Sequence, residues 1–226
     1  MNSIKLHQSK ILRLCLTLSL LLGLLGPWLS GVQIALPLAN PQIPVAAAAA
    51  SKPVLLVYND SYTTARFGRY LGEIMQAEGY NLFDTVQLSS VTGTLLSGYD
   101  TVVLAQTSLT SSQSTTFTQY VSNGGNLIAM RPDTQLNTVF GLSGAAGTLN
   151  NGYMAIQGTS VYGQGFPGDS LQLHTAASQY STATGQVVAY LYSDANTATT
   201  YPAVVVNSYG SGKAAAFTYD LATSVV

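Results

Sequence analysis

Residues 100–142 limit what this chain can fold into more than any other stretch. Thr101–Leu104 is a short apolar run between turn signals, the pattern of a strand buried on both faces. Phe117, Tyr120 and Val121 then recur at helical spacing inside a Ser/Thr-rich segment. Gly124-Gly125 offers the left-handed ending such a helix needs. Residues 127–130 read as the next buried strand, and Pro132 stops it at once. Strand, helix, glycine stop, strand and a sharp turn into another helix make the repeating unit of a parallel sheet.

The flanks extend the pattern. Val54–Tyr58 reads as the first and central strand, and Asn59-Asp60-Ser61 turns the chain after it. Phe67, Tyr70, Leu71, Ile74 and Met75 form one helical stripe, with Arg66, Arg69, Glu73 and Glu78 mostly facing out and Gly79 ending the helix. Residues 82–86 read as the second strand and 92–98 as a short helical connection. Past Pro132, residues 134–140 read as a short helix with Asp133 as its N-cap. Residues 141–168, rich in Gly, Ser and Asn, read as loop holding one strand at 153–157. The remainder is β: Gln186–Tyr192, then 203–209 and 213–219, the last two joined by the hairpin signal Gly210-Ser211-Gly212. The expected fold class is α/β, with a mostly parallel sheet, helices on both faces and a β-rich C-terminal part.

Charge and processing signals narrow the setting. Lys5, Lys10 and Arg13 precede the apolar run 14–25, the layout of a secretory signal, so residues 1–50 are set apart from a domain at 51–226. Cleavage after Ala39 or within the alanine run 46–50 would release the domain, and an uncleaved segment would anchor it to a membrane. With those three cations set aside, five Lys/Arg face nine Asp/Glu, a net charge of about −4 that argues against nucleic acid. Charged residues are 8% of the chain, and Ser, Thr, Asn, Gln and Tyr take their place, as suits a protein facing the outside of a cell. Cys15 is the single cysteine, so residues 51–226 hold no disulfide, thiolate nucleophile or cysteine metal site. His174 is the single histidine there, which excludes chemistry needing a histidine pair.

The order and spacing of residues 100–142 resemble the class I glutamine amidotransferase-like superfamily, and residues 53–226 are similar to it more loosely. The resemblance implies a flavodoxin-like architecture. The family's Gly-Ile-Cys-x-Gly-x-Gln run falls on Ala129, Met130, Arg131, Pro132, Asp133, Thr134 and Gln135. Arg131 therefore stands where the family has its cysteine nucleophile, and Asp133 where it has the elbow glycine. The distal Phe-His-Pro-Glu falls on Phe217, Thr218, Tyr219 and Asp220, so the histidine is missing as well. Glutamine hydrolysis needs a thiolate and a base to handle its proton, and a guanidinium supplies neither. Residues 70–83 are also similar to the first helix of secreted bacterial proteins that carry this domain beside sugar-binding or Ig-like modules. In the family more chain follows Val226, and residues 220–226 look like the start of a helix without a terminator.

The resemblance leads to an exported, non-catalytic module of a larger extracellular protein, with carbohydrate or a cell-surface component as partner and no cofactor or metal. Its candidate ligand-binding residues are Asp60, Arg131, Asp133 and Asp220, each just after an expected strand, where open α/β sheets place ligands. Arg131 could pair with any of the three aspartates or hold an anionic or carbohydrate ligand. The alternative is a glycoside or ester hydrolase using the strand-end aspartates in place of the lost triad. Asp at turns and helix caps is equally expected on local grounds. Gly163-Gln164-Gly165-Phe166-Pro167-Gly168 matches a dinucleotide-binding string, but no helix opens after it, so it reads as loop. Gly210-Ser211-Gly212-Lys213 lacks the first glycine and the Ser/Thr of a phosphate loop. His174 lies in a strand-like Leu-Gln-Leu-His run without partners in sequence, and the tyrosines of the second half read as half-buried strand residues.

Overall fold

Val54, Leu55, Leu56 and Val57 are all buried, so the strand they form, β1 (Val54–Tyr58), must be covered on both faces. The computed structural model describes residues 53–64 and 67–225, and it supplies both covers. After β1, helix α1 (Gly68–Ala77) buries Leu71 and Met75, and Gly79 at φ +85° closes the turn beyond it. β2 (Phe83–Gln87), α2 (Gly93–Leu96) and β3 (Thr101–Leu104) follow. α3 (Ser111–Ser122) starts with a reciprocal capping box between Thr110 and Gln113, which satisfies two otherwise orphaned N–H groups. β4 (Asn126–Met130) leads into a 3₁₀ turn (Thr134–Leu136) and α4 (Asn137–Phe140).

The rest is almost wholly β: β5 (Leu142–Asn150), β6 (Tyr153–Ile156), β7 (Leu171–Gln172), β8 (Ala176–Thr182), β9 (Gln186–Tyr192), β10 (Ala198–Tyr209) and β11 (Gly212–Phe217). The helix α5 (Leu221–Val225) comes last. One nine-stranded sheet has the order β2-β1-β3-β4-β11-β10-β9-β6-β7, and β5 with β8 forms a separate antiparallel ribbon. The first five strands are parallel in the doubly wound 2-1-3-4-5 order of flavodoxin-like folds. The other four add on antiparallel, which is how the β-rich C-terminal part joins the parallel one. Alternate residues of β1 face opposite cores. Val54 and Leu56 join Leu71, Met75, Leu221 and Ala222 of α1 and α5. Leu55 and Val57 join a layer built on Leu96, Phe117, Val121 and Phe140 of α2, α3 and α4. Helices therefore cover both faces, as the alternation of elements requires.

Several expectations shift. β1 is an internal strand one in from the edge, not the central one. The second strand begins at Phe83 because Leu82 is 66% exposed and packs on neither core. The segment 141–168 holds more than one strand: β5 runs through its first part, with Ser143–Thr148 facing solvent. A solvent-facing ribbon of Ser, Gly and Ala carries neither the apolar run nor the alternation by which a strand is read. β8 was equally hidden, and it pairs β5 along its whole length. β7 ends at Gln172, so His174 sits in an exposed bend beyond it and not in a strand. The Gly163–Gly168 string is turn and irregular loop, as expected. The eight tyrosines of the second half are all buried or half-buried, Tyr180 and Tyr219 almost completely. The expectation for Arg66, and those for residues 1–50, fall outside the described residues.

Candidate functional site

In a 2-1-3-4-5 sheet the strand order reverses between β1 and β3, and the loops leaving their carboxyl ends splay apart. A cleft of about 310 Å³ opens at that point. Tyr62 and Thr64 line it from the loop after β1, Gln106, Thr107 and Ser108 from the loop after β3, and residues 131–134 from the turn after β4. The two splayed loops are tied together across the cleft by Asn59, whose Nδ2 donates to Thr107 Oγ1 at 3.0 Å.

Arg131 stands at the rim of that cleft in an unusual backbone conformation. Its φ is +39°, a left-handed value that L-residues other than glycine, asparagine and aspartate seldom adopt. The conformation is held by neighbours on both sides. Its own N–H donates to the Phe217 carbonyl at 2.7 Å, extending the β4–β11 ladder by one rung. The next residue, Pro132, is buried, and its carbonyl accepts the Tyr180 hydroxyl at 3.1 Å. The sharp turn after β4 is thus left-handed at one residue, and that residue carries a guanidinium. Arg131 Nε donates to Ser178 Oγ of β8 at 3.0 Å. Its two terminal nitrogens make no hydrogen bond or ion pair within the described residues.

The three aspartates are not gathered around it. Asp60 is exposed and ion-paired with Arg69, whose Nε lies 2.9 and 3.0 Å from the two carboxylate oxygens, and Gln87 Nε2 donates to it as well. That hydrogen bond from Arg69 holds its carboxyl below the ordinary 3.8. Arg69 also lies over the Tyr58 ring, 5.2 Å from its centre. Asp133 does line the cleft, but both of its oxygens serve the backbone. Oδ1 accepts from Gln135 N–H and Oδ2 from Leu109 N–H, each at 2.9 Å, so it caps the 3₁₀ turn as expected. Gln135 returns a bond from Nε2 to the Leu109 carbonyl at 2.7 Å, pinning the β3–α3 loop to the elbow. Asp220 is buried below the surface, where it caps α5 through Ala222 N–H and the Thr223 hydroxyl. Burial raises its pKa, against the lowering pull of Thr223, Ala222 and the more distant Arg131. Of the expected site residues, then, the fold brings Arg131 and Asp133 to one cleft and sends Asp60 and Asp220 elsewhere. Arg131 pairs with none of the three.

Ser178 and Thr107 are the site residues that sequence reasoning missed. Ser178 is 47 residues from Arg131 and lies on a strand whose partner is solvent-facing, so no local pattern marks it. Thr107 was legible only as a residue following a buried strand. Among the described residues, no group of three or more His, Cys, Asp or Glu could hold a metal ion.

No protein-family model matches the sequence, and no curated protein matches it. Solved structures do. A ThuA-like protein from Bacteroides uniformis superposes with a TM-score of 0.56 at 14% identity, covering 79% of this chain and 86% of that one. ThuA-like proteins have the class I glutamine amidotransferase-like fold. This chain has that fold. A cytoplasmic protein of Salmonella typhimurium matches with a TM-score of 0.52 at 17% identity, over 67% of this chain and 74% of that one. A β-galactosidase from Bacillus circulans sp. alkalophilus matches with a TM-score of 0.57 at 14% identity, over 77% of this chain but 30% of the enzyme. This chain spans about 27–32% of the length of the glycosidases it matches. At these identities the likeness is one of fold alone.

Proposed function

We propose that the amidotransferase-like domain is an exported, non-catalytic binding module whose cleft holds an acidic sugar through Arg131. The observation that carries the proposal is the Arg131 guanidinium, held by its backbone and Ser178 at the switch-point cleft with its terminal nitrogens unspent. A planar fork with free donors suits a carboxylate, which it can bind with two parallel bonds. Thr64, Thr107, Ser108, Thr134 and Ser178 give the rest of the cleft a hydroxyl-rich wall suited to a polyhydroxylated body. The loss of both nucleophile and histidine, at Arg131 and Thr218, supports the absence of glutaminase chemistry. Asp60, Asp133 and Asp220 are engaged by Arg69, by backbone N–H groups and by a helix cap, which weighs against the hydrolase alternative. Carbohydrate-processing chains that contain this fold as a part, the β-galactosidases and an exo-β-1,4-mannosidase, support a carbohydrate setting. Export rests on the basic and apolar layout of residues 1–25, and N-terminal sequencing of protein recovered from the medium tests it. No helix of the described residues is long and apolar enough to cross a membrane.

Thermal denaturation with galacturonate and glucuronate tests the site. At a hundredfold excess over Kd, binding stabilises by about 2.7 kcal/mol, a rise of roughly 5–10 °C for a domain of this size. Arg131→Ala should abolish the rise while keeping a cooperative transition, and an unchanged rise would sink the assignment. Glutamine hydrolysis should stay at background, and turnover would overturn the placement of Arg131 at the nucleophile position.

A further inference from the structure

The opposite edge of the sheet carries a second, larger concavity. Under the amino ends of β1, β3 and β4 a groove of about 690 Å³ is lined by Tyr80, Tyr99, Tyr120, Asp100, Gln119 and Asn123 among others. That size is within the range of ordinary ligand sites. Five-residue strands separate it from the Arg131 cleft, ~15 Å at about 3.3 Å per residue.

Its chemistry differs from that of the cleft. Among the described residues, no Lys or Arg lines the groove, and Asp100 is the acid within it. An anionic ligand would meet no compensating charge there and one repelling carboxylate. Two of the rings are fixed. The Tyr120 hydroxyl donates to the Tyr99 carbonyl at 3.0 Å, and the Tyr99 hydroxyl donates to the Asp84 carboxylate at 2.9 Å. Tyr120 is held further by Gly125, where an added Cβ would lie 2.3 Å from its ring. The polar side chains, by contrast, are largely unspent. Asn126 donates from Nδ2 to the Asp100 carbonyl at 3.0 Å, which leaves its Oδ1 without a partner. The Asp100 carboxylate and the amides of Gln119 and Asn123 make no hydrogen bond to another described residue.

Tyr80 and Tyr99, both half-buried, give aromatic surface for the C–H side of a pyranose, Tyr120 backs the groove from the core, and amides and a carboxylate give donors and acceptors for its hydroxyls. We propose that this groove is a binding site for a neutral oligosaccharide, distinct from and independent of the Arg131 cleft. The molecule would then grip carbohydrate at both edges of one sheet, with charge selecting between the ligands.

Titration calorimetry of the purified protein with cellohexaose, maltohexaose, xylohexaose and mannohexaose tests this, with hexagalacturonate as the charged control. At least one neutral hexasaccharide should bind. Asp100→Ala and Asn123→Ala should each weaken that binding at least ten-fold, and Arg131→Ala should leave it unchanged. Asp100 and Asn123 are exposed, so the variants should melt within about 2 °C of the wild type. Gln119→Ala, on the exposed face of α3, replaces either variant should its melting temperature fall further. Silence from all four neutral sugars would overturn the proposal. So would binding that survives the Asp100→Ala/Asn123→Ala double variant, binding lost with Arg131→Ala, or a preference for hexagalacturonate that depends on Asp100.

Discussion

Arg131 is where the cost of a single backbone angle is most visible. A left-handed φ of +39° costs an L-residue about 1–2 kcal/mol, a penalty glycine escapes but offsets in part through its looser unfolded chain. Arg131→Gly and Arg131→Ala both delete the guanidinium and its bond to Ser178, so their difference isolates the backbone term. Urea titration should find the glycine variant more stable by about 1 kcal/mol. Equal midpoints would mean that the turn relaxes at no cost. Asp220 makes the complementary case for a buried charge. Burial lifts its folded pKa above the ordinary 3.8, so in the window opening there the folded protein binds more protons than the unfolded chain. Stability then falls as pH rises through that window, and the loss is complete above the folded pKa. Asp220→Asn lacks this ionisation. The stability of the variant relative to wild type should therefore increase from pH 4 upward and level off, as followed by melting temperature. A difference that narrows with pH would mean the carboxylate is stabilised, not penalised, where it sits.

At the scale of elements, the sheet depends on close approaches that only glycine permits. Gly212 opens β11 directly against the end of α3: an added Cβ would lie 2.2 Å from the Gly125 carbonyl and 2.3 Å from that of Val121. Both are backbone atoms of a capped helix and its stop, so neither can swing aside. Gly212→Ala should cost about 3 kcal/mol or more by chemical denaturation, at the upper end of ordinary overpacking. A loss below about 1 kcal/mol would show that α3 can lift off the sheet. Much of this level was legible. The spacing of Phe117, Tyr120 and Val121, the Gly124-Gly125 stop and the buried runs of β1, β3 and β4 are local signals, and each element appears within a residue or so of its reading. The ribbon of β5 and β8 was not. The β5 residues 143–148 are small and solvent-facing, and β8 buries only Ala177 and Tyr180 against the cores, so neither strand carries a pattern that announces it.

The whole molecule divides into a parallel half with two covered faces and an antiparallel extension that thins toward β7 and the β5–β8 ribbon. Hydrogen exchange should follow that division. The amides of Leu55–Val57, Val102–Leu104 and Leu127–Ala129 should exchange slowest, near the global unfolding limit, and those of Gly144–Thr148 at least a hundredfold faster. Uniform protection would mean the ribbon is part of the cooperative core. The same division explains what each level of description could supply. Periodicity and punctuation are properties of neighbouring residues, and they sufficed for the α/β class, the mostly parallel sheet and the cap at Asp133, while the flavodoxin-like order came from the family resemblance. Partners across the fold are not. Arg131 had three aspartates in reach of the reading and took Ser178, because Asp60 was claimed by Arg69 and Gln87, Asp133 by backbone N–H groups, and Asp220 by a helix start beneath the surface. A hydrogen bond 47 residues long in sequence is decided by which strand passes overhead, and only the tertiary structure settles that.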